Sequence, residues 1–257
     1  MGRGIEMRAC WAACLGACSD KITREHIFTE GLFLDDAVKV KGFSWCLDDF
    51  KTVGLAALVK KVLCAAHNSM LSEVDNAAIG LMKALRAAVE LNNARALLEP
   101  QNWQVQKFPV DGSKLERWFL KTFITFAFGA QSLIGIDSSQ PGHPSRALVE
   151  TAFGLRQFPP RAGLHLLGDA GEQIQSEEGI VMTTFSGQTG RLAGARFWFR
   201  GFEFLLLLDE PQPGPFTFTS QDDKHKRQPT ARYHSPGIGF TMHDRLSHLV
   251  EFVWMSA

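Results

Sequence analysis

The sequence predicts an α+β fold on three observations. Cysteine and histidine boxes in the first quarter can share a metal, the middle shows helical periodicity, and short apolar runs broken by Gly and Pro follow residue 142 or so. With 257 residues, 45% of them hydrophobic, the chain can bury a sizeable core in one domain or two small ones. Lys plus Arg and Asp plus Glu both total 27. No overall basic field argues for nucleic acid, so any such contact must come from a local patch.

The N-terminal element is expected to be stapled by metal. The five cysteines, Cys10, Cys14, Cys18, Cys46 and Cys64, are odd in number and clustered early, a poor disulfide framework and a better metal or reduced-thiol pattern. A cytoplasmic setting follows. Structural zinc draws thiolate and imidazole ligands as two close pairs, and Cys14, Cys18, Cys64 and His67 fit that plan. Cys10 can replace either member of the first pair, and Cys46 is held in reserve. The apolar run from Ala9 to Ala17 is too short, and too soon followed by Asp20-Lys21, to read as a secretory signal.

Between and beside these ligands stand Thr23-Arg24-Glu25-His26-Ile27-Phe28, Cys64-Ala65-Ala66-His67-Asn68 and Leu71-Ser72-Glu73-Val74-Asp75. Together they resemble the zinc-stapled members of the HNH endonuclease superfamily, over about residues 10 to 80. The resemblance implies a ββα-metal module in which His26 is the general base, Glu25 and Asn68 bind or orient a catalytic Mg²⁺ or Mn²⁺, the Cys/His quartet holds a separate structural Zn²⁺, and DNA is the substrate. An imidazole suits proton abstraction near neutral pH, and a hard cation suits carboxylate and amide oxygens. Three residues separate Cys14 from Cys18, His67 stands where a second Cys is usual, and Thr29 replaces a frequent Pro. Leu58-Val59-Lys60-Lys61-Val62-Leu63 supplies no middle amide. The alternative implied by these departures is a catalytically inactive, zinc-stabilised module that binds nucleic acid or protein.

The helical middle follows. Val74, Ala78, Leu81, Leu85, Ala88, Leu91 and Leu98 recur at mostly helical spacing until Pro100, giving one long helix or two abutting ones between Cys64 and Glu99. Lys83, Arg86, Glu90 and Arg95 read as its solvated face. Ser113-Lys114-Leu115-Glu116 has the form of a capping box, opening a helix through Trp118, Phe119, Thr122 and Phe126 that is apolar on nearly all sides and belongs in the core. The stretch Thr122 to Ile136 falls short of the roughly 18 apolar residues that span a bilayer, so no membrane partner is expected.

The second half is expected to be β-rich, with runs at Gly163 to Leu167, Gly179 to Phe185, Ala195 to Leu208 and His248 to Trp254. Asp209 to His234, with its prolines and charged run, reads as a surface loop. The natural cut lies near residues 137 to 147, giving a zinc-stapled module with a helical extension at 1–140 and a β-rich domain at 141–257. That second part could recognise a protein partner or form a homo-oligomer. No repeat, GxGxxG or phosphate loop is visible.

Overall fold

The computed structural model describes residues 10–33, 36–99, 102–167, 180–187, 189–199, 202–210, 237–243 and 245–254. It bears out the α+β class, although strands occur in both halves. In chain order the elements are β1 (Ile22–His26), β2 (Ala37–Lys41), β3 (Lys51–Gly54), β4 (Val59–Cys64), α1 (Ala65–Met70), α2 (Ser72–Ala96), β5 (Gln106–Asp111), α3 (Gly112–Ala127), α4 (Arg146–Ala152), β6 (Gly163–Leu167), β7 (Ile180–Ser186), β8 (Leu192–Phe199), β9 (Phe202–Leu207), β10 (Gly237–Met242) and β11 (Arg245–Val253). Most of the loop expected at Asp209 to His234 lies outside the described residues.

Among the described residues three sheets form: β1-β4, β10-β11-β5, and β3-β2-β7-β8-β9-β6. The latter two draw strands from both sides of residues 137 to 147, because β2 runs parallel to β7 and β5 parallel to β11. Hydrogen-bonded ladders therefore cross the expected boundary. Gly42 makes the first crossing possible: its backbone has φ +88°, and a Cβ there would collide with the Met182 carbonyl oxygen on β7. Pro109 sits in β5, an edge strand, where a missing N–H is tolerated.

The periodic run after Cys64 divides into α1 and α2 at Leu71. From α2, the Arg95 guanidinium leaves the solvated face to donate to the Ser247 carbonyl and hydroxyl at 2.6 and 2.7 Å, tying the helix to β11. The expected capping box at Ser113 gives way to Asp111, whose carboxylate accepts from the Lys114 N–H at 2.9 Å. Glu116 instead accepts from the Leu164 N–H on β6. Helix α3 is buried on nearly all sides, as its composition requires. Phe119 meets Trp118 on its own helix and Phe197 and Phe204 on the large sheet, each with ring centroids 4.9 Å apart. No helix among the described residues is long and apolar enough to cross a membrane.

Candidate metal centre

Strands β1 and β4 pair antiparallel, from Ile22 opposite Cys64 to His26 opposite Val59, and α1 begins at the next residue, Ala65. This places Cys64 at the strand end and His67 in the first turn of the helix. Ahead of β1, Cys10 precedes a 3-10 turn at Ala13–Leu15, and Gly16 and Ala17 then adopt positive φ (77° and 51°). The reversal carries Cys18 back toward Cys10 and leaves Cys14 outward and exposed.

The ligand atoms of Cys10, Cys18, Cys64 and His67 lie within 4.8 Å of one another. Their common neighbour is His67 Nδ1, with the Sγ atoms of Cys10, Cys18 and Cys64 at 3.4, 3.6 and 3.2 Å. Zinc bonds of ~2.3 Å to sulfur and ~2.0 Å to nitrogen, set at tetrahedral angles, place S and N roughly 3.5 Å apart. The quartet thus has the donor chemistry and the spacing to hold a metal such as zinc. Cys14, expected as a ligand from its spacing, is replaced by Cys10. Cys46 is buried elsewhere, with its thiol toward the Val40 carbonyl.

Burial pushes the Cys10 thiol up to about 12, against backbone N–H groups of Cys64 and Ala12. Burial also opposes ionisation of Cys64, but hydrogen bonds from the His67 backbone and from the backbone and hydroxyl of Ser19 bring it down to about 6. A thiolate is therefore ready at one ligand, and a bound Zn²⁺ would deprotonate the others. The Phe153 ring lies against both Trp11 and His67, at centroid distances of 5.7 and 5.4 Å. A residue following α4 thereby shields a centre built otherwise from the first 67 positions.

The other candidate residues are distributed differently. Side chains alternate along a strand, and Thr23 and Glu25 face the helices: Asn68 Nδ2 donates to Thr23 Oγ1 at 3.3 Å, and Glu25 is paired with Lys121 of α3. Arg24 and His26 occupy the opposite face. Lys121 Nζ also meets both Asp75 oxygens at 2.7 Å. Burial raises the Glu25 carboxyl above its ordinary value, with the Lys121 ammonium working against that rise. Glu25, His26 and Asn68 do not converge on a common point as a set of ligands and base would. The Glu25 carboxylate is already neutralised by an ammonium, so the residues present do not fit a hydrolytic Mg²⁺ or Mn²⁺ held by Glu25 and Asn68.

The exposed face of the ribbon has a different character. The register moves from Thr23 opposite Leu63 to Glu25 opposite Lys60, so Lys61 and Val62 together oppose Arg24. Such a bulge re-aims side chains, and here Val62 is buried while Lys61 and Arg24 are exposed. No family model, curated protein or solved structure matches this chain.

Proposed function

We propose that the chain is a zinc-stapled ββα module that binds the phosphate backbone of DNA through the β1–β4 ribbon. One observation carries this reading. The sole acidic residue on the two strands, Glu25, is turned inward and paired with Lys121, while Arg24 and Lys61 stand exposed around His26. A chain with no net charge thus has a local basic surface of the kind that phosphate contacts need. The quartet supplies rigidity: it clips the segment before β1 to the end of β4 and the start of α1. The order β1, β4, α1 with a metal group at its base also supports the likeness to zinc-stapled HNH proteins.

A second reading, phosphodiester hydrolysis with His26 as general base, is favoured by His26 sharing its face with Arg24. Both are tested on zinc-loaded protein. Anisotropy titration of a labelled DNA duplex is expected to show salt-dependent binding that weakens in Arg24→Ala and Lys61→Ala. Binding that ignores both substitutions would overturn the ribbon assignment. Plasmid cleavage with Mg²⁺ or Mn²⁺ that disappears in His26→Ala would add hydrolysis, and intact plasmid would limit the module to binding.

A further inference from the structure

Lys121 is 2% exposed, in the middle of α3. An ammonium so placed is tolerated only when paired and fully hydrogen-bonded. Its partners come from two other elements: Glu25 Oε1 on β1, and both carboxylate oxygens of Asp75 on α2 at 2.7 Å. The shell continues outward. Thr29 Oγ1 donates to Asp75 Oδ1 at 2.6 Å, and Trp118 Nε1 donates to Thr29 Oγ1 at 2.8 Å. Nζ therefore sits in an all-oxygen setting built from two carboxylates, of which Asp75 is oriented by the Thr29 hydroxyl and, through it, the Trp118 indole.

That is the donor set a hard cation selects. Glu25 is also the carboxylate that the HNH resemblance assigns to a catalytic metal. We propose that Lys121 is a built-in cation, its ammonium holding the place at Glu25 and Asp75 that a divalent ion would otherwise take, so that the folded chain excludes Mg²⁺ and Mn²⁺ from Glu25. The charges agree, since two carboxylates facing one another repel unless a cation or a shared proton lies between them, and here the Lys121 ammonium takes that place. Burial agrees as well: the Lys121 and Glu25 side chains are 3% and 7% exposed, and Asp75, at 21%, forms the solvent-facing side of the group. Lys121 lies beyond residues 10 to 80, so this replacement is invisible within the motif that it alters.

The test is Mn²⁺ titration of the zinc-loaded full chain, with free Mn²⁺ followed by electron paramagnetic resonance and folding by circular dichroism. Wild type and Glu25→Gln are expected to take up Mn²⁺ identically. Lys121→Met should gain one additional Mn²⁺ per chain, which the double variant with Glu25→Gln lacks. A wild-type Mn²⁺ site that disappears in Glu25→Gln would overturn the proposal, as would folded Lys121→Met with no gain. Should Lys121→Met not fold, the wild-type and Glu25→Gln titrations decide by the same criterion. None of these readouts involves DNA, so failure here is separate from failure of the binding proposal.

Discussion

Cys10 Sγ lies 3.4 Å from His67 Nδ1, although 57 positions separate the two residues. The contact joins the segment ahead of β1 to the helix behind β4, so the β1–β4 ribbon is anchored at one end by a group able to hold metal. An anchored ribbon is a rigid carrier for Arg24 and Lys61. The same rigidity fixes which β1 side chains meet α2 and α3.

Phosphate contact by the ribbon has a quantitative signature. Each phosphate neutralised on B-DNA contributes about 0.9 to the slope of log K against log salt. Arg24→Ala and Lys61→Ala should therefore each reduce the magnitude of that slope by about 1, measured by anisotropy over a salt series. Unchanged slopes with weaker binding would mean that neither side chain meets phosphate.

The buried ion-pair group is expected to dominate local stability. Removing one partner of a buried pair costs roughly 3–5 kcal/mol because the other charges remain, so Lys121→Met should lower the urea-unfolding free energy by about that amount. The exposed pair of Lys107 and Glu251, with side chains 56% and 31% accessible, offers a control: Lys107→Met should cost about 1 kcal/mol or less. Similar costs for the two would refute the assignment of Lys121 as a charge-balancing core residue.

His248 supplies a pH dependence of known sign. Burial holds its imidazole down to about 4, from 6.5, and the ring stacks on Phe240 at 4.4 Å. The unfolded imidazole takes a proton first as pH falls, so this contribution to stability is complete above about 6.5 and is lost toward about 4. Between pH 7 and pH 5 wild type should lose about 2 kcal/mol more than His248→Gln, read from denaturant melts. Parallel pH profiles would contradict this.

Local signals were legible where local chemistry decides the outcome. The run Gly163 to Leu167 is β6 to the residue, and the apolar composition of α3 foretold its burial. Strand β2 offered a readable signal as well, since Ala37–Lys41 alternates lysine and valine with Val38 and Val40 inward. Competition between neighbours is harder to read. Asp111 outcompetes Ser113 as a cap, releasing Glu116 to β6. Spacing favours Cys14 over Cys10, and that preference is overturned by the turn at Ala13–Leu15 and the positive-φ pair after it. Least legible is Lys121: its partners Glu25 and Asp75 are distant in sequence, and no motif on β1 reveals that an α3 ammonium will neutralise Glu25. The pairing of β5 with β11 and of β2 with β7 has the same character, because parallel ladders join segments far apart in the chain.

The most direct test is the zinc content of purified wild type, Cys10→Ser and Cys14→Ser, determined by mass spectrometry together with thermal stability. One zinc per wild-type chain is expected, retained in Cys14→Ser and lost in Cys10→Ser with a marked fall in stability, since structural zinc contributes roughly 10–16 kcal/mol in small metal-folded peptides. Zinc retained by Cys10→Ser and lost from Cys14→Ser, or a wild type that takes up none, would contradict it.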